Sequence, residues 1–537
     1  VSDLPVSAQG SGEGMAPVAA GTGAPRAARR ELKLPAGPLT GKALLAAGLL
    51  LSLANFMVVL DLTIANVSVP NIAGGLGVSS SEGTWVITSY SVAEAITVPL
   101  TGWLAGRFGA VRTFVVAMVL FGIFSAACGM ASSLSMLVVF RVLQGLSGGP
   151  MIPLSQTLLL RVFPKEKAGQ AMGLWAMTTV VAPIAGPILG GVLCDTYSWP
   201  WVFFINVPVA LVCAFFAWRL LKPQETPTQK LPVDVTGLGI MIVWVACLQI
   251  VLDKGEELDW FQSHTIVILG LVALVGFFAF VIWELTDANP IVNLRVFRSR
   301  DYCISLAVLC LCFGSYFAAV VIMPLWLQTN MNYTATWAGF AVAPSGVFAV
   351  IMSPIVAKLM GKVDSRLLIF IGVLGLAGTM FWRATFASNI DFLHIIVPQF
   401  VQGFFVPLFF VPLFGLALGA LSSAELAGGA GLLSFARTMA GAFATSISQT
   451  FWNNSARSGR VQLLNQFDSA KSLAMIHSGG MSHAGTLRQL ENIVQGQSVM
   501  LATDKFFMSI GLLMVVAAFS IWLTSKPKAG GAAVAAH

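Results

Sequence analysis

Asp61, Glu94 and Arg141 stand inside stretches that are otherwise apolar for about 20 residues at a time, the length that crosses the hydrocarbon of a bilayer. Charge at that depth is costly and normally faces a cavity, a partner or an ion path. Asp61 lies in the outer part of its stretch, in Asp61-Leu-Thr63-Ile-Ala-Asn66-Val67-Ser68-Val69-Pro70, and Pro70 is expected to stop the helix. Three readings fit Asp61: carrying a transported proton, anchoring an extracellular gate through hydrogen bonds, or simple exposure. Glu94 sits midway along the next stretch, too far from either end to snorkel. It either binds a proton or cation, or makes a structural hydrogen bond to a neighbouring helix. Burial favours the neutral form of a carboxyl group and so suits it to reversible protonation. Arg141 cannot lose its proton in a protein and therefore requires a partner. Near Asp61 or Glu94 it would favour their ionised forms, and its withdrawal would favour protonation. Three side chains thus contain the parts of a proton-coupling device.

Many helices are needed to bring these residues together, and the chain has them. Lys and Arg number 30 and Asp and Glu 23 in 537 residues, and the mean hydropathy is +0.83. A water-soluble fold could not hide that much apolar surface. The chain reads as an all-α polytopic membrane protein with fourteen spans, at roughly 43–65, 84–105, 111–131, 134–158, 168–191, 200–221, 235–252, 265–284, 303–326, 336–357, 367–384, 393–417, 426–451 and 506–524. An even count puts both termini on one side, and positive charge says which. The alternation places 21 Lys and Arg on the side of the termini, two (Arg141 and Arg437) within spans, and seven on the other side, five of those in or beside the segment 452–505. Both termini are expected in the cytoplasm. The net charge of +7 is this topology signal rather than a nucleic-acid surface. Residues 1–40 form a cytoplasmic tail, of which 1–36, rich in Gly, Ala, Pro and Ser, are expected to be disordered and lack the pattern of a cleaved signal. Residues 526–537 form a second cytoplasmic tail.

Further polar and glycine-rich runs mark moving parts. Gly102-Trp-Leu-Ala-Gly106-Arg107-Phe-Gly109-Ala-Val-Arg112 is a tight cytoplasmic link whose glycines allow a sharp reversal and whose arginines can reach helix C-termini or acids. The later link Ala357-Lys358-Leu-Met-Gly361-Lys362-Val-Asp364-Ser-Arg366 is similar enough to suggest an internal repeat. Arg141-Val-Leu-Gln144-Gly145-Leu-Ser147-Gly148-Gly149 presents Gln144, Gly145 and Gly148 on a narrow face that permits close helix contact. In Pro183-Ile-Ala-Gly186-Pro187-Ile-Leu-Gly190-Gly191, Pro187 is expected to kink the helix while Gly186 and Gly190 leave one face nearly bare. Pro398-Gln399-Phe-Val-Gln402-Gly403 echoes the Arg141 run without its arginine. Arg437 either binds an anionic group or supports the outer domain. Gln399, Arg437 and the soft side chains Phe317, Met323, Trp326 and Phe404 are candidates for lining a substrate cavity, although such side chains are more often core. The segment 452–505 has helical spacing at Leu487, Leu490 and Val494 and is either a docking element for a partner or a cap packed on its own transporter. The seven cysteines read as packing residues, the five histidines form no ligand set, and no phosphate-binding glycine loop appears.

Taken together these runs resemble the major facilitator superfamily. Gly102–Arg112 resembles its signature link, Arg141–Gly149 its fourth-helix motif, and Gly186–Gly191 the antiporter motif of its fifth helix. Leu60–Pro70, the run Phe203-Phe-Ile-Asn206-Val-Pro208 and the count of fourteen resemble the drug:proton antiporters of the EmrB/QacA type, over roughly residues 40–525. The resemblance implies two six-helix bundles, 41–222 and 301–525, around a central cavity, with two extra helices within 231–287 between them. It implies efflux of hydrophobic or amphipathic compounds, such as drugs, bile salts or fatty acids, driven by inward protons and without a cofactor. Protons entering from outside would neutralise Glu94, Asp61 or both, loosen their hold on Arg141 or on a cationic substrate, and let the bundles rock about the fifth and eleventh helices. One departure stands out: the family's link carries an acid where this chain has Gly106, so the contacts of that acid are missing or replaced. The outer segment 452–505 resembles that of the EmrB-like branch, whose members work in an inner membrane with a periplasmic adaptor protein and an outer-membrane channel.

Overall fold

Regular structure in this computed structural model is helical throughout the described residues, which are 39–164, 167–229, 232–287, 290–360, 362–388, 390–422, 425–466 and 483–525. The expectations for the tails 1–38 and 526–537, and for the middle of the outer segment at 467–482, lie outside them. Setting aside single turns, the order is α1 Gly41–Leu76, α2 Trp85–Thr97, α3 Thr101–Phe108, α4 Ala110–Gly129, α5 Leu134–Gly148, α6 Met151–Val162, α7 Ala168–Thr196 and α8 Asn206–Leu221. Then come α9 Val235–Lys254, α10 His264–Thr286, α11 Arg300–Thr329, α12 Ala335–Val342, α13 Pro344–Leu359, α14 Ser365–Arg383, α15 Phe392–Gly419, α16 Leu426–Gln466 and α17 His483–Ser520. Among the described residues eleven helical segments are long and apolar enough to cross a membrane, twelve when the bent α7 counts as one span. The chain is a multi-pass membrane protein.

Local chemistry sets the ends and breaks. Ser133, Asp234, Ser299 and Asp391 each accept from a backbone N–H of the helix they precede, closing α5, α9, α11 and α15. The expectation that Pro70 ends the first helix is corrected. α1 runs through Pro70 to Leu76 and stops on Gly77, whose φ of 67° turns the chain back onto Ala73 and Gly74. Proline there loses only the bond to the Asn66 carbonyl, and Asn66 and Pro70 lie on an exposed face. The second stretch breaks around Pro99 into α2 and α3. The bend in α7, 43°, falls between Pro183 and Ala185. That is one turn before Pro187, where the missing donor and the ring of a proline act.

Packing repeats along the chain. α1 lies on α7 and α8, α4 on α5 and α8, and α2 on α5. Further on, α11 lies on α16 and α17, α14 on α15 and α17, and α13 on α15. The two sets meet where α7 packs on α12, α13 and α15, and where α16 packs on α3 and α6. α9 and α10 pair with each other, and α9 touches α2 and α16. Only 17% of the most apolar window of α10 is buried, so its remaining surface faces lipid.

Candidate functional site

The carboxylate of Asp61, on α1, is enclosed by three donors from two other helices. Arg141 Nη1 of α5 donates to Asp61 Oδ2 at 2.6 Å, and neither side chain has any exposed surface. Gln144 Nε2, one turn along α5, donates to Asp61 Oδ1 at 3.0 Å, and Asn206 Nδ2 at the start of α8 donates to the same oxygen at 2.7 Å. Arg141 also donates to Gln144 Oε1 at 2.8 Å and, through Nε, to the Val86 carbonyl of α2 at 3.0 Å. Its guanidinium lies over the Tyr90 ring at 4.1 Å. Glycine makes this assembly possible, because a Cβ at Gly145 would lie 2.9 Å from Ala93 Cβ and hold α5 off α2. Removing one partner of such a pair strands the other charge, at about 3–5 kcal/mol. The arrangement can hold a guanidinium while the carboxylate is ionised and release it on protonation.

Glu94 lies on α2 and is 5% exposed. The charges acting on it are Arg437, Asp61 and Arg141. Arg437, on α16, is also 5% exposed, and its guanidinium lies 5.7 Å from the Trp175 ring of α7 and 5.6 Å from the Phe313 ring of α11. Phe313 stacks on Phe317 at 5.5 Å, which brings that cavity candidate to the same place.

The other candidates are distributed differently. Asn66 is exposed and does not join Asp61. Met323 and Trp326 are 1% exposed within the core, while Phe404 is 41% exposed and edge-on to Phe405. Gln399 is engaged elsewhere: its Oε1 accepts from Arg383 Nη2 at 2.9 Å, and Gln402 Oε1 accepts from the same nitrogen. Arg383 had counted among the seven charges of the outer loops. It is in fact 1% exposed, at the last residue of α14, with its guanidinium 5.8 Å from the Phe507 ring. Asn206 is the second site residue that sequence reasoning missed, though it stood in the quoted Phe203–Pro208 run as a lone amide among apolar residues.

The glycine-rich link has its acid after all, from another part of the chain. Glu225 accepts from the backbone N–H of Val111 at 2.9 Å and of Arg112 at 3.0 Å, so a carboxylate caps α4 although residue 106 is glycine. Gly109, with φ 96°, is required twice over, since a Cβ there would also strike the Glu225 carboxylate. Arg107 lies against Trp103 and Phe108, and Arg112 is mostly exposed, 3.8 Å from Glu225. Gly102 touches the second set of helices: a Cβ there would lie 2.8 Å from Gly428 Cα at the start of α16. The bare face of α7 is turned toward α1, with a Gly190 Cβ 3.1 Å from the Ile64 carbonyl and a Gly186 Cβ against Thr63. In the described parts of 452–505, α16 and α17 extend beyond their apolar stretches and join through Trp452 Nε1 donating to Thr503 at 2.9 Å and an Arg460–Glu491 pair at 2.9 Å.

Buried, mutually neutralising charges among many membrane-crossing helices mark an ion or substrate path. The family model described as Major Facilitator Superfamily matches residues 51–445, and the chain belongs to that superfamily, as a secondary active transporter. It is 44% identical over 508 residues to the multidrug export protein EmrB of Escherichia coli strain K12, covering 93% of this chain and 99% of that one. It is 42% identical over 495 residues to the fatty acid resistance protein FarB of Neisseria gonorrhoeae, covering 91% and 98%. A solved structure of the proton:xylose symporter XylE bound to 6-bromo-6-deoxy-D-glucose matches with a TM-score of 0.57 at 14% identity, covering 90% of this chain and 97% of that one, which shows the fold alone.

Proposed function

We propose that this chain exports hydrophobic and amphipathic compounds across the inner membrane in exchange for protons, by alternating access. The observation that carries this reading is the 44% identity, along nearly the whole of both chains, to a multidrug export protein. The enclosed Asp61–Arg141 pair supports it chemically: a carboxylate that is exchanged between a fixed cation and a proton is a coupling element. In this reading Asp61, Arg141 and Gln144 form the latch, Glu94 takes up the proton, and the Gly102–Arg112 link and the bent α7 carry the rocking motion. Fourteen spans follow if α2 with α3 forms one broken span and the first part of α16 another. The matched neighbours of α4–α5–α8 and α14–α15–α17 support two six-helix bundles with α9 and α10 between them. The excess of basic residues on the side of the termini supports their placement in the cytoplasm.

The α16–α17 stem then projects outside. Val461 and Ile493, exposed at 58% and 47%, give it an apolar surface for a periplasmic adaptor that leads to an outer-membrane channel. A narrower reading, an exporter dedicated to one fatty acid or other metabolite, is favoured by the 42% identity to a fatty acid resistance protein. Proteoliposomes carrying the purified chain and an imposed pH gradient test both. Substrate moving against protons is expected, with several unrelated amphiphiles accepted in the broader case and one compound in the narrower. Substrate movement that ignores the pH gradient overturns the coupling.

A further inference from the structure

One face of α16 carries Ile447, Phe451, Ser455 and Ser458 at steps of four, four and three residues, the spacing of neighbours on a helix surface. The face changes character along its length. Ile447 and Phe451, 59% and 40% exposed, belong to the last turns of the apolar part of α16, and the polar residues follow beyond it. From Ile447 to Ser458 the helix rises about 16 Å, enough to pass from the hydrocarbon edge through the headgroup layer. This face floors a groove of about 620 Å³, and Lys505 of α17 forms one wall. Trp452 donates to Thr503, and a Cβ on Gly459 would lie 3.4 Å from the Ser498 carbonyl. In this antiparallel pair Lys505 therefore stands level with Phe451, where the apolar run of α17 begins. Lys505 is exposed, and its ammonium makes no ion pair or hydrogen bond with any described residue.

Trp260, in the loop between α9 and α10, forms the other wall and is held there. Asp259 and Trp260 have positive φ, 57° and 50°, a conformation that a bulky residue rarely adopts. The Trp260 backbone N–H donates to the Gly255 carbonyl at 2.7 Å, its indole Nε1 donates to Thr450 of α16 at 3.0 Å, and a Cβ on Gly255 would strike the ring. Strained backbone thus sets a flat aromatic ring beside the groove. The nearby acids are engaged to one side. Glu256 accepts from Asn453, and Glu256 and Asp259 share a smaller adjoining cavity with Arg457. Lys505 is the single charged residue among the described residues that line the groove itself.

We propose that this groove binds a phospholipid of net negative charge from the leaflet on the side of the stem. An acyl chain lies along Ile447 and Phe451 beside the Trp260 ring. Lys505 donates to the phosphate, and Ser455 and Ser458 donate to the headgroup. The order from apolar to polar along α16 matches that of a lipid at the membrane boundary, the depth at which tryptophan and lysine anchor to it. The unpaired cation supplies the preference for negative charge. Bound there, the lipid joins the α9–α10 loop to the base of the stem.

The test is native mass spectrometry of the purified full chain, released from detergent with equimolar phosphatidylglycerol and phosphatidylcholine of identical acyl chains. The unmutated chain is expected to retain phosphatidylglycerol in preference to phosphatidylcholine. Lys505→Gln should lower that preference about fivefold, the weight of one basic residue against an anionic headgroup, and Lys505→Arg should keep most of it. Phe451→Ser should weaken retention of both lipids alike. Lys42→Gln, at an exposed lysine on α1, should leave the preference unchanged. Equal loss of preference in Lys505→Gln and Lys42→Gln, or no preference in the unmutated chain, overturns the inference. Displacement of phosphatidylglycerol by equimolar laurate also overturns it, because the groove would then hold single-chain amphiphiles rather than lipid. None of these readouts depends on transport, so the proposed export function stands or falls separately.

Discussion

The two sets of helices each bury an arginine beside a pair of amide side chains, and they treat it differently. In the first set Arg141 and Gln144 share α5, and Asp61 from α1 neutralises the charge at 2.6 Å. In the second set Gln399 and Gln402 hold the matching spacing on α15, but the arginine, Arg383, comes from the end of α14. No acid meets it. Tyr316 of α11 is the ionisable group that faces it. The links differ in the same way. Asp364, just before α14, accepts from the Arg366 N–H at 3.0 Å and pairs with its side chain, whereas α4 is capped by Glu225 from beyond α8. The halves repeat a chemical layout while drawing its parts from different places. Arg141 is held by an acid that a proton can neutralise, whereas Arg383 is held by neutral groups.

That contrast can be broken most sharply at Asp61. Asp61→Ala leaves Arg141 buried and unpaired, and a loss of about 3–5 kcal/mol is expected, read as thermal unfolding in detergent. Replacing both partners, Asp61→Leu with Arg141→Met, should restore most of that stability and leave export absent, separating the latch from the scaffold. A smaller effect is expected where the two sets touch. Gly102→Leu drives a side chain into the Gly428 backbone, at about 1–3 kcal/mol, and should slow transport by holding the helices apart. Gly109→Ala combines a left-handed backbone with a collision at Glu225 and should cost about 1–2 kcal/mol. Arg383→Met belongs at the bottom of the scale. It removes a buried charge that no acid balances, so a change within about 1 kcal/mol of zero is expected. A loss as large as that of Asp61→Ala would show that the second half depends on its cation as much as the first.

Much of this layout was legible in the sequence, for identifiable reasons. A polar residue surrounded by twenty apolar ones announces itself, so Asp61, Glu94, Arg141 and Arg437 stood out. Glycines three apart on α5 and four apart on α7 announced their close faces. Arg383 did not stand out because it is the last residue of its helix, where a sequence cannot distinguish an interfacial charge from a buried one. Glu225 was illegible because its work is done 114 residues away, at Val111. Asn206 was visible as a motif letter but not as a ligand of Asp61, since only the fold brings α8 to α1. Pro70 misled because the rule that proline ends a helix assumes that the freed carbonyl has no other partner, and on an exposed face that assumption fails.

The most direct test of the central claim, that proton coupling resides in the neutralised half, is uphill export in proteoliposomes with internal pH followed at the same time. Asp61→Asn and Glu94→Gln should each abolish pH-driven accumulation while substrate still equilibrates down its own gradient, and Arg383→Gln should keep both accumulation and the accompanying proton flux. Full coupling in Asp61→Asn and Glu94→Gln, or its loss in Arg383→Gln alone, would contradict the account.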